Sequence, residues 1–160
     1  MSGLVRGLAI GFAAGAAGTT ALNAVSYLDM VARARPTSST PEESVKRLAA
    51  ATGISIPGDE EHRENRVAGL GPLLGISTGI LVGAALGTAR ALGWTPRTSV
   101  GVLATAGAAL MTSNLPMTAL KVTDPRRWSV TDWISDLVPH LAYGTVAYLL
   151  VASATRPPQR

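Results

Sequence analysis

The chain has 160 residues, 47% hydrophobic and 15% charged, with a net charge of +4 and no cysteine. That charged fraction is below the roughly 25% of ordinary soluble domains, and the lack of cysteine excludes a disulfide framework or a thiolate metal site. The basic residues are scattered at the ends of apolar blocks, which suits anionic lipid and gives no nucleic-acid-binding patch.

Charge is absent from four blocks, 7–28, 67–89, 98–120 and 137–155. Each is close to the roughly 20 residues that span hydrocarbon. The expected fold is all-α: one transmembrane domain over residues 1–160, an integral membrane four-helix bundle with spans at about 4–30, 66–92, 99–120 and 132–155. An extramembrane segment, 31–65, would carry a short interfacial helix. A soluble Ala/Gly-rich bundle is the competing architecture. Its core would be poorly filled, since Phe12 is the one phenylalanine. Twelve Arg against two Lys, with abundant Ala and Gly, points to a high-GC bacterial source.

Helix 1 carries Gly3, Gly7, Gly11, Gly15, Thr19, Asn23 and Tyr27 at four-residue steps. Its apolar run behind Arg6 is longer than the about 7–15 residues of a signal-peptide core and has a polar end, so cleavage is disfavoured. Arg35-Pro36 ends this helix, because the residue before proline avoids the helical region. Thr40-Pro41-Glu42-Glu43 reads as a helix start, with Thr40 as N-cap, Pro41 at N1 and Glu43 closing a capping box; Gly53 ends that helix. Pro57-Gly58-Asp59 leads into Glu60-Glu61-His62-Arg63-Glu64-Asn65-Arg66, a solvated first turn whose acids suit the helix dipole.

Helix 2 holds Gly71, Gly75, Gly79, Gly83 and Gly87. In water each interior glycine costs roughly 1 kcal/mol against alanine. In a bilayer the backbone bonds cannot be exchanged for water, and the missing side chains admit a second helix. Gly7, Gly11 and Gly15 are the expected antiparallel partners in a glycine zipper. Helix 3 has a smaller stripe, Gly101, Thr105, Ala109 and Ser113, and Asn114 and Pro116 are expected to interrupt its last turns. Trp94, Trp128 and Trp133 are interfacial anchors. Ser129-Val130-Thr131-Asp132 is a second capping signal, and Arg156-Pro157-Pro158 ends helix 4.

The hairpin order defines two sides. Side A holds the termini and the Trp94 loop, with Arg6, Arg90, Arg97, Arg156 and Arg160 and no acid. Side B holds 31–66 and 121–131, and all ten acids, both histidines and the remaining nine basic residues fall there or just inside it. A literal Lys/Arg count places side B in the cytoplasm. The side-A arginines, however, sit unopposed in short tails and one short turn, and on that ground we expect cytoplasmic termini.

Polar residues reaching into the spans gather in the side-B half: Asn23, Tyr27 and Asp29 on helix 1, Thr112, Ser113 and Asn114 on helix 3, and Asp136, His140 and Tyr143 on helix 4. Of these, Asn23, Tyr27, Asn114, Asp136, His140 and Tyr143 form the candidate polar pocket. Asp132, Asp136 and His140 lie one helical turn apart on one face. Asp136 and His140 could pair, share a proton or bind a metal together. Metal sites normally need three or four ligands, so the plainer reading is that the acids complement the helix N-terminus and His140 bonds a neighbouring helix. A haem between His62 and His140 is disfavoured, because one lies outside the hydrocarbon and the other inside it. No nucleophile elbow, phosphate loop or HExxH motif occurs. Accordingly no catalytic residue, metal ligand set or cofactor is expected. The expected partners are the lipid bilayer and either a second copy or a larger membrane complex, with no nucleic acid.

Pro116-Met117, a Pro/Trp loop, and Ser135-Asp136-Leu137-Val138-Pro139-His140-Leu141-Ala142-Tyr143 together resemble the YagU-like family of bacterial inner-membrane proteins. The likeness covers residues 115–144. This chain has Asp136 where that family usually has Glu, and its 31–66 segment does not match. The resemblance implies cytoplasmic termini and brings no molecular activity with it. Three functions follow in order: a structural or accessory membrane subunit; a small transporter or proton-linked carrier using the polar pocket; and a membrane enzyme using Asp136 and His140.

Overall fold

The computed structural model describes residues 3–155. Its elements are α1 (Gly3–Arg33), α2 (Thr40–Thr52), α3 (Glu60–Ala91), α4 (Thr98–Ala119), a 3₁₀ turn (Pro125–Arg127) and α5 (Val130–Ala154). Among the described residues all regular structure is helical, and α1, α3, α4 and α5 are each long and apolar enough to cross a membrane.

The helix ends follow from local chemistry. α3 begins at Glu60, ahead of the expected start near 66, because the Asp59 carboxylate caps it by accepting from the His62 backbone N–H at 3.0 Å. α5 begins at Val130 on a complete capping box between Ser129 and Asp132. The expected box at Thr40 does not form. Ser39 occupies the N-cap without a side-chain cap bond, and Glu43 is drawn to Arg47 one turn on, at 2.7 Å. Gly53 ends α2 in the left-handed region, at φ +68°. Pro116 lies inside α4 and does not interrupt it; it removes only the bond to the Thr112 carbonyl. The Arg156-Pro157-Pro158 stop lies outside the described residues.

α1 packs against α3 on one side and α5 on the other, and α5 packs against α4. The long helices therefore follow the order α3–α1–α5–α4, and α3 and α4 touch little although a short loop joins them. The α1–α3 contact is backbone on backbone. A Cβ on Gly7 would lie 2.6 Å from the Gly87 carbonyl oxygen, one on Gly15 2.7 Å from that of Gly79, and one on Gly83 2.5 Å from that of Gly11. The α3 stripe is thus divided. Gly79, Gly83 and Gly87 meet α1, whereas Gly71 lies under Pro41 and Glu42 of α2, and Gly75, like Gly3 on α1, meets nothing within 4 Å.

α5 is the central post. Tyr143 and Ala147 fill the space left by Gly18 of α1. Gly144 lets α4 in so closely that a Cβ there would lie 2.6 Å from both the Val102 carbonyl oxygen and the Ala106 nitrogen. Tyr148 rests on Gly101, donates to the Pro96 carbonyl at 2.9 Å, and meets Trp94 edge-on at 6.3 Å. The interior is built mainly from Ala, Gly, Val, Thr and Tyr, with Leu86 the one buried leucine among the described residues, while Leu81, Leu103, Leu115 and Leu137 stand exposed.

Candidate functional site

Three of the polar-pocket residues come together where α4 and α5 cross. Asn114 donates from Nδ2 to Asp136 Oδ2 at 2.7 Å. The His140 ring faces the same residue twice: Nδ1 lies 2.7 Å from the Asp136 backbone carbonyl and 3.4 Å from its carboxylate Oδ1. The shorter contact assigns the proton to Nδ1, because a carbonyl oxygen can only accept. Nδ1–H therefore donates to the turn below, and the carboxylate remains turned mainly to Asn114. The His140 side chain is 10% exposed and that of Asp136 21%. The Asn114 Oδ1 is buried and has no hydrogen-bond partner among the described residues. Pro139 leaves the Ser135 carbonyl without its helical donor immediately before this cluster.

Tyr143 belongs to another junction. Its hydroxyl donates to the Gly79 carbonyl at 2.5 Å, and Thr19, which donates to the Gly15 carbonyl at 2.8 Å, stands beside it. That junction joins α1, α3 and α5 one turn deeper than His140. Asn23 is half-buried on α1 and makes no side-chain hydrogen bond among the described residues. Tyr27 is 61% exposed and stands apart. Both share the depth of Asp136 along the bundle, but α5 separates α1 from α4, so Asn23 and Asn114 lie on opposite sides of it. The expected single pocket is therefore divided into two separate polar contacts and two outlying residues.

A further polar group, built on Asp29 with partners the sequence did not indicate, closes the side-B end of α1. Asp29 accepts from Arg33 and Arg35, each at 2.7 Å, and Arg33 also donates to Ser135 on α5 at 2.8 Å. Asp29 and Ser135 line a cavity of about 80 Å³ between α1 and α5, which neither Asp136 nor His140 enters. Outside the long helices, Asp124 is held below the usual carboxylate range, first by its hydrogen bond from the Arg126 guanidinium. Among the described residues no three or more His, Asp or Glu side chains converge as a metal site would require.

No family model, curated protein or solved structure matches the chain. What the fold defines is a class: a helical bundle with four helices fit to cross a membrane.

Proposed function

We propose that this is a small multi-pass protein of the bacterial inner membrane with cytoplasmic termini, acting as a structural or accessory subunit and related to the YagU-like proteins. The observation that carries the membrane reading is the inverted distribution of side chains. Large aliphatics such as Leu81, Leu103 and Leu115 face outward, and the α1–α3 and α4–α5 contacts are made by small residues with backbone against backbone. Water would penalise both features; hydrocarbon penalises neither. The α1–α3 contact is then a glycine zipper. An accessory role is supported by the Asn114–Asp136–His140 cluster, whose side chains serve one another across a helix crossing and so tie α4 to α5.

One observation favours a proton-linked carrier instead: the unpartnered Asn114 Oδ1 buried beside an Asp–His pair. Asp136→Asn separates the two readings. It keeps an acceptor for Asn114 and removes the titratable group. A structural role predicts that this variant restores, at wild-type level, whatever phenotype follows deletion of the gene. Loss of complementation with normal membrane abundance would favour the carrier.

A further inference from the structure

The chain of contacts α3–α1–α5–α4 leaves its two ends apart, and between them runs a cleft of about 560 Å³. Its walls include Ala85 and Ala89 on α3 and Ala104 and Ala108 on α4, with Leu86 at its side and Trp94 at one end. It is largely apolar, and the two hydroxyls on its α4 wall, Thr105 and Thr112, are spent on the Gly101 and Ala108 carbonyls of their own helix. Its Trp94 end lies on side A, where the described cations are Arg6, Arg90 and Arg97 and the sequence places no acid. Arg6 is engaged by the Ala154 carbonyl at 3.2 Å. Arg90 is tethered to Thr155 at the end of α5 at 3.0 Å, with Nη1 3.5 Å from the carbonyl of Trp94, the residue at the cleft's side-A end. Arg97 is exposed, and no hydrogen bond or ion pair within the described residues engages its side chain.

We propose that this cleft seats an acyl chain of an anionic phospholipid, with the lipid phosphate held by Arg97 and Arg90 beside Trp94. The inference rests on the membrane reading above. Charge complementarity selects the occupant. A guanidinium matches a phosphate in geometry and charge, and basic pockets at the ends of spanning helices are sites for anionic headgroups. A second copy docked through the same face about an axis along the membrane normal would set Arg97 near its own equivalent, with no acid between them. The small side chains on both walls leave room for a flexible chain, and the indole at the mouth sits at headgroup depth.

Native mass spectrometry of the purified full-length protein tests this, using dioleoyl phosphatidylglycerol against dioleoyl phosphatidylcholine as added lipids. We expect one tightly retained phosphatidylglycerol per chain. Arg97→Gln, on the exposed surface, should lower the preference for phosphatidylglycerol about fivefold, the effect of roughly 1 kcal/mol per arginine. Ala108→Phe, which fills the cleft, should reduce retention of both lipids. Equal retention of the two lipids by the wild type, or an unchanged preference in Arg97→Gln, overturns the proposal. So does a dimer that Ala108→Phe dissociates, since a second copy would then be the occupant. Release of the protein from membranes by alkaline carbonate would instead refute the membrane reading itself, independently of the lipid result.

Discussion

Gly83 is the middle one of the three α3 glycines that meet α1, and its neighbours there are all backbone. A methyl group there would lie 2.5 Å from both the Gly11 carbonyl oxygen and the Gly15 nitrogen. These are backbone atoms, so no rotamer change relieves the clash. The Gly15 Cα is nearer still, and ordinary contact begins at 3.4 Å, so the helices must part by about 1 Å, and overpacking of that kind costs about 1–3 kcal/mol. Gly75 is the internal control, because a Cβ there, on the same stripe, would meet nothing within 4 Å. We expect Gly83→Ala to unfold at a distinctly lower SDS fraction than wild type in mixed micelles, followed by far-UV circular dichroism, and Gly75→Ala to match wild type or exceed it. Gly79→Leu, driven into Thr19 and Tyr143, should largely abolish folded protein. Wild-type behaviour of Gly83→Ala would refute the contact. Equal damage from Gly75→Ala would show that glycine content, and not the α1–α3 interface, sets stability.

Tyr143→Phe removes the bond to the Gly79 carbonyl while keeping the ring against Gly18. The same titration should show a loss of about 0.6 kcal/mol, the usual scale of interhelical side-chain bonds in a bilayer, and a loss near that of Gly83→Ala would mean the ring has moved. The Asp59 cap gives a pH dependence. Its carboxyl is held below the ordinary 3.8, first by the His62 backbone N–H, then by the His62 ring. A depressed folded value means that the cap's support is present above the ordinary value and fades as pH falls through the folded one. Hydrogen-exchange protection of the His62 amide, corrected for intrinsic rates, should therefore drop in acid. Asp59→Asn, still a good cap, should make it pH-independent; a persistent pH dependence in that variant would assign the effect elsewhere.

Much of this architecture is legible in the sequence because two simple lengths govern it. The length of a spanning helix is read from the charge-free blocks, and the helical period sets which glycines share a face. The period does not say which neighbour that face meets. Gly71 and Gly79 share a stripe yet meet α2 and α1, because α2 folds back on the first turns of α3. Depth is equally readable, and direction is not: Asn23 and Asn114 lie at similar heights, but α5 stands between them. Gly144 lets the α4 backbone come close to α5 and belongs to no glycine stripe, so nothing in the sequence singles it out. The Arg33–Ser135 bond joins residues far apart in sequence and leaves no local signal.

The central claim is a four-span chain with side A inside, and the natural absence of cysteine makes it directly measurable. Single cysteines at Ser38, Thr95, Thr123 and Leu149 can be probed with a membrane-impermeant maleimide in intact cells and after permeabilisation. The account predicts labelling of positions 38 and 123 from outside, of 95 only after permeabilisation, and of 149 in neither condition. Labelling of position 149 in the folded protein, or of 95 but not 38 in intact cells, would contradict it.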